Sequence, residues 1–252
     1  MFFKDLSQAI GSYGKAFGLF SELGLWRFIF IPVLIGLLIG AGILALAYGL
    51  SDNIGDYLSS FWPWEFGSDT VNSIGHFLGG VIVLVFGLII FKHAVMALSA
   101  PFMAPISEKI EIHLTGRALD KTDTPKEYMR VLIRGIRINV RNLLLELLIT
   151  IPLLLMSFIP ILNLVSTALL IYVQSYYAGF GNMDYTLERH RDVSGSVKFV
   201  SKHKGVAVGN GLIFTLMLAI PFIGICLALP FSAAAATIDT VGKLESKALV
   251  KK

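Results

Sequence analysis

The sequence predicts an all-α integral membrane protein with an amphipathic N-terminal helix, two long transmembrane helices and two re-entrant, hemi-penetrating helical hairpins that form an internal repeat. Three observations point there. Of 252 residues, 55% are hydrophobic and only 15% charged, and the mean hydropathy of +0.74 exceeds that of a soluble globular domain. Four apolar runs are present, two long enough for one crossing and two of awkward intermediate length. The third observation is a sequence repeat inside the two awkward runs.

Residues 1–23 place Phe3, Leu6, Ile10, Tyr13, Phe17 and Phe20 three and four apart. That spacing makes one apolar stripe on a helix able to lie in the membrane interface. Residues 26–51 contain a charge-free run from Phe28 to Ser51, longer than the roughly 20 residues that cross about 30 Å of hydrocarbon. Because this run begins late and has no small-residue cleavage site after it, no cleaved signal peptide is expected. Residues 70–100 form the second span, with Lys92 placed to snorkel toward headgroups.

Residues 102–142 read as amphipathic helices on the charged side of the membrane. Ile106, Ile110 and Leu114 share a face before a stop at Thr115-Gly116. After Pro125, the residues Lys126, Arg130, Arg134, Arg137 and Arg141 form one basic ridge, suited to lipid headgroups or to gathering anions.

The two remaining runs, Leu147 to Phe180 and Gly205 to Ile238, are each 34 residues long. Two full crossings and a turn need roughly 38, so both fall short. Their centres align, "MSFIPILNLVSTAL" from Met156 with "MLAIPFIGICLAL" from Met217, which sets Pro160 on Pro221 at an offset of 61 residues. Asn163 and Gly224 follow the prolines by three residues and tolerate a left-handed turn. Each copy, 143–180 and 205–238, therefore reads as helix, turn and returning helix, with two slightly short full spans as the alternative. Backbone that turns at membrane depth needs protein or a water-lined cavity around it, and paired interrupted segments point to a transport site.

Charge placement agrees with runs that return to their starting face. Segment 52–69 carries Asp52, Asp56, Glu65 and Asp69 and no lysine or arginine. The basic residues other than Lys92 lie near the N-terminus, in 109–141, in 189–204 and in the tail 239–252, which positive-inside places in the cytoplasm. "FWPWEF" at 61–66 suits the opposite interface.

Catalytic motifs are missing from the sequence. Cys226 is the one cysteine, and the five histidines show no H-E-x-x-H spacing; no Walker A loop or G-x-S-x-G occurs. Enzyme activity, a cofactor and nucleic-acid binding are accordingly not expected. Glu146 is an acid that lipid penalises, so it should face protein, water or an arginine. Before the first span, "SELGLWRF" (21–28) offers Ser21 as an N-cap, Gly24 for close backbone approach, and Arg27 beside helix-start amides. Such a set favours a tetrahedral oxyanion, although an arginine there also serves as an interfacial anchor.

"GLWRF", "LSAPFMAPISEKIEIHLTG" (98–116) and "NMDYTLERH" (182–190) resemble signature blocks of the CysZ sulfate permease and etoposide-induced-protein family, over about Gly24 to Ile238. The resemblance implies an oligomerising inner-membrane protein of two long spans plus two hemi-penetrating hairpins that delivers sulfate in bacteria. It maps the sulfate loop onto Gly24, Leu25 and Arg27. Trp26 departs from the pattern where relatives commonly carry a first arginine, and Thr186 departs where a proline follows Asp-Tyr. The expectation is sulfate uptake through a hairpin-lined pore, gated by Glu108, Lys109 and Glu111, with a non-transporting membrane scaffold of the same family as the alternative.

Overall fold

The computed structural model describes residues 2–60, 68–118, 124–220 and 224–249. The described chain is helical without strands, as expected for a backbone that must satisfy its own hydrogen bonds in lipid. Three of its helices are long and apolar enough to cross a bilayer, or four if a bent pair is counted as one span.

Helix α1 (Phe2–Glu22) buries Asp5, Ala9, Ser12, Ala16 and Phe20, its small and polar face. Half of the apolar stripe points outward: Phe3, Ile10 and Phe17 are exposed, Leu6 and Tyr13 are half-buried and Phe20 is buried. Small residues win the inner face because α1 meets glycines there; a Cβ on Gly205 or Gly209 would stand 2.4 or 2.7 Å from the carbonyl oxygens of Phe2 or Leu6. Ser21 lies inside α1 and caps nothing; Gly24 is the residue that precedes the next helical turn.

Helix α2 (Phe30–Ser59) and helix α3 (Ser68–Leu98) pack along one another. At 1.5 Å per residue the 30 residues of α2 reach about 45 Å, more than hydrocarbon requires. The "FWPWEF" segment between them lies outside the described residues. Near the end of α3 the chain bends by 63° into α4 (Ala100–Thr115). Lys92 does not snorkel. It is buried, 6% exposed, because α5 presents Glu146 opposite it, and a direct charge pair outweighs reaching for headgroups.

Helix α5 (Pro125–Ser157) is one continuous helix, so no boundary separates the basic ridge from the apolar run near residue 143. Thr124 caps it by accepting the Glu127 N–H. Helix α6 (Pro160–Leu187) then packs back on α5. The turn falls at Phe158 and Ile159, before the proline rather than after it. Ile159 is extended (φ −88°, ψ 115°), the conformation a following proline enforces, and Pro160, with no N–H to satisfy, starts α6. Asn163 is helical, and its Nδ2 donates to the Ser157 carbonyl at 2.7 Å, satisfying an end carbonyl of α5. Phe158, Ile161 and Leu164 at this tip are more than 80% or about 80% exposed, as lipid-facing side chains are.

Helix α7 (Val193–Lys202) is short and amphipathic, and helix α8 (Lys204–Leu218) follows after His203. Pro221 lies outside the described residues. Gly224 opens a five-residue π turn, Gly224–Ala228, that leads into α9 (Leu229–Leu249), so the expected basic tail is helical as far as 249. Gly224 is not left-handed; a Cβ there would meet the Met217 carbonyl at 2.5 Å, so contact rather than backbone freedom requires glycine. The main core joins the inner faces of α1, α3, α4 and α9 around Phe20, Met103, Ile106 and Phe231.

Candidate functional site

The loop that ends α1 is shaped by Gly24, whose φ of 60° and ψ of 41° place it in the left-handed region that glycine reaches without strain. A single 3-10 turn, Leu25–Phe28, follows. Leu25 is fully buried in the core beside Met103 and Ile106 and anchors the turn on α4. Trp26 sets its ring edge-on to Phe17, Phe20 and Phe231, with centroids 5.7–6.2 Å away, so it serves packing. Arg27 is exposed, and its guanidinium carbon sits 4.9 Å from the Phe28 ring centroid.

From α4, the Lys109 ammonium approaches the same ring at 5.6 Å. His113 lies 3.7 Å from Glu22, which further ties α4 to the end of α1. Two cations from separate elements thus converge on one aromatic ring at the start of the first span, each favoured by the ring's negative face. Glu108, the preceding residue, has its Oε1 buried and without a hydrogen-bond partner among the described residues.

Glu111 faces the other way. Its Oε2 accepts from Arg189 at 2.8 Å and its Oε1 lies 2.6 Å from His190 Nε2. Burial pushes its carboxyl up, but the His190 hydrogen bond and the Arg189 charge outweigh that and hold it below the ordinary carboxylate value. Arg189 also donates to Ser107 Oγ and the Tyr185 carbonyl, and Ser107 joins Thr186 and Thr237 in a buried trio of hydroxyls. The Thr186 that stands in place of a proline is therefore a binding partner between α4, α6 and α9.

The structure brings Gly24, Leu25, Arg27 and Lys109 into one neighbourhood and leaves Glu111 in a second, interior network. Sequence reasoning missed Arg189, His190, Ser107, Thr186 and Thr237. Their charged and hydroxyl types were visible in "NMDYTLERH", but nothing in spacing joins residues 107, 186 and 237. It also missed two other clusters. Glu146, of the three surroundings expected for it, has protein: it is fully buried and bonds Lys92 Nζ at 2.6 Å and His93 Nε2 at 2.9 Å, partners that its sequence position did not name. Arg134 leaves the basic ridge to bond Asp184, Ser196 and the Arg191 carbonyl, and Arg130 pairs with Glu127. Among the described residues no three His, Cys, Asp or Glu side chains are grouped to hold a metal ion.

Comparison with known proteins adds a direct finding. Residues 12–228 match the family described as sulfate transporter CysZ/etoposide-induced protein 2.4. A protein named sulfate transporter CysZ from Pseudomonas aeruginosa (strain LESB58) is 26% identical over 242 residues, 94% of this chain and 96% of the relative. Proteins of the same name from Pseudomonas paraeruginosa (strain DSM 24068 / PA7) and Pseudomonas fluorescens (strain Pf0-1) are 27% and 24% identical over 94% and 90% of this chain, and 96% and 90% of the relatives.

Proposed function

The chain belongs to the sulfate transporter CysZ/etoposide-induced protein 2.4 family, and from that premise we propose that it carries an oxyanion, sulfate, across a bacterial cytoplasmic membrane. The observation that carries this reading is the convergence of Arg27 and Lys109 on the Phe28 ring at the entrance to the first span. Gly24 exposes backbone there, Leu25 fixes the turn, and Arg27 supplies a planar fork that matches an oxyanion better than an ammonium does. Lys109 and Glu108 stand next on the route, and the Glu111, Arg189 and His190 network closes it. Sulfate passes between the hairpins by exchanging its water for such donors, down its gradient or with a coupled ion.

Hemi-penetration is part of the proposal. Helix α8 has 15 residues and reaches about 22 Å, short of about 30 Å of hydrocarbon. The exposed tip at Phe158–Leu164 and the exposed aliphatic faces suit a homo-oligomer embedded in lipid. A second reading, a non-transporting scaffold, is favoured by Trp26, which spends its side chain on packing where an anion loop would gain from a second cation.

Calorimetry on monodisperse, detergent-purified protein and sulfate flux into liposomes separate the two. Arg27→Ala should lose about ten- to a hundredfold in sulfate affinity, the worth of one charge-assisted pair. Arg27→Lys should fall between it and wild type. An unchanged affinity in Arg27→Ala removes the site assignment; no millimolar binding or flux in wild type favours the scaffold.

A further inference from the structure

A cavity of about 490 Å³ opens between α2, α3, α5, α6 and α8, away from Arg27 and Glu108. Its volume lies in the range of roughly 300–1,000 Å³ that small-molecule sites occupy. The rim includes Leu44 and Leu88, 63% and 65% exposed on helices that face lipid, so the opening is lateral. Ile43, Phe91, Leu154 and Leu218 make the walls apolar.

The polar groups of the lining are few: Lys92, Thr150, Gln174 and Thr215. Thr150 is 1% exposed, and neither its Oγ1 nor that of Thr215 has a hydrogen-bond partner among the described residues. Two buried hydroxyls left open at membrane depth are costly unless something accepts from them. Lys92 adds no net charge, because Glu146 lies 2.6 Å from its ammonium and the Gln174 carbonyl accepts a second bond at 3.3 Å. A free dianion would surrender its hydration here for a mostly aliphatic wall and a neutralised lysine. An uncharged head with a carbonyl acceptor meets the hydroxyls without that cost, and its tail remains among Leu44, Leu88 and the surrounding lipid.

We propose that this lateral cavity binds a membrane-borne neutral amphiphile, its carbonyl oxygen accepting from Thr150 and Thr215 and its apolar tail leaving past Leu44 and Leu88. This site is independent of the sulfate reading. Acyl esters and isoprenoid quinones share the required head chemistry, and the test distinguishes them.

Native mass spectrometry of the full chain, released from mild detergent, measures binding of dioctanoylglycerol, decylubiquinone and, as the charged comparator, dioctanoylphosphatidylglycerol. One neutral probe should saturate at one molecule per chain and bind more tightly than the charged lipid. Thr150→Val should weaken it by about two- to tenfold, the loss of one neutral hydrogen bond, while Thr150→Ser retains it. Gly40→Trp and, as a second filling variant, Ala219→Trp should abolish it; monodispersity by size-exclusion chromatography verifies that each is folded. The proposal falls if neither neutral probe saturates, if the charged lipid binds as well, or if folded filling variants bind as wild type does.

Discussion

Asp239 on α9 holds a carboxylate in a fully buried position at the α1 contact, where Gln8 and Ser12 donate to one oxygen at 3.0 and 2.9 Å. Burial, only partly offset by those two bonds, raises its pKa from 3.8 to about 6. The fold therefore prefers the neutral acid. Below about pH 4 both folded and unfolded forms are protonated and nothing is lost; between 4 and 6 the unfolded chain ionises first and stability falls, then levels. Asp239→Asn keeps an acceptor for Gln8 and Ser12 and removes the titration. It should melt with wild type near pH 4 and be the more stable by roughly 3 kcal/mol at pH 7, at 1.36 kcal/mol per pH unit. Thermal melts in detergent across that range check this; a gap that does not widen with pH refutes the assigned cause. Residue types were legible in the sequence at such sites, but partners were not. Glu146 was readable as an acid that lipid would not tolerate alone, yet Lys92 and His93 lie more than 50 positions away on another helix. Trp26 reads as a missing arginine until Phe231, from the far end of the chain, is seen against it.

Helix α6 and helix α8 approach at backbone distance. A Cβ on Gly211 would lie 1.8 Å from the Ser175 carbonyl, and one on Gly179 would lie 1.8 Å from the Ala207 carbonyl. Small residues at helix contacts let backbones close up, which is how helices adhere where lipid removes the hydrophobic drive. Gly211→Ala must push the helices apart, so it should cost at least the roughly 1–3 kcal/mol of an overpacked core. Gly42→Ala on α2, where a Cβ meets nothing within 4 Å, should be neutral or stabilising by up to about 1 kcal/mol. Equal melting of the two variants would mean that α6 and α8 separate freely. Helix existence and the break between α5 and α6 were readable because proline and the apolar run lengths are local signals. The position of the turn was misread by several residues, since Asn163 looks like a turn former until its side chain is found bonding the Ser157 carbonyl. The stripe on α1 did not reveal the inner face, Asp5, Ala9, Ser12 and Ala16, because hydrophobic stripes mark the core only when the outside is water, and here the outside is lipid.

At the scale of the whole molecule, charge is distributed along the membrane normal rather than around a core. The end of α2 and the start of α3 carry Asp52 and Asp56, with His76 held between them at 3.1 and 3.0 Å, and no lysine or arginine. At the other end the ion pairs Arg134–Asp184, Arg189–Glu111 and Lys243–Asp5 tie α5, α6, α4, α9 and α1 together. Cytoplasmic loops retain lysine and arginine, so this second end should face the cytoplasm and residue 60 the outside. Cysteine labelling with an impermeant maleimide, in a Cys226→Ala background, tests the arrangement. Ser60 is exposed at the base-poor end, and Ser194 is the better reporter at the basic end because Ser196 is buried against Arg134. In intact cells Ser60→Cys should label and Ser194→Cys should not; in inverted vesicles the pattern should reverse. If each cysteine labels to about half from either side, the chain inserts both ways. If Ser60 and Ser194 always label together from one face, an even number of crossings lies between them, and the reading of α5 with α6 as elements that return to their starting face would be wrong.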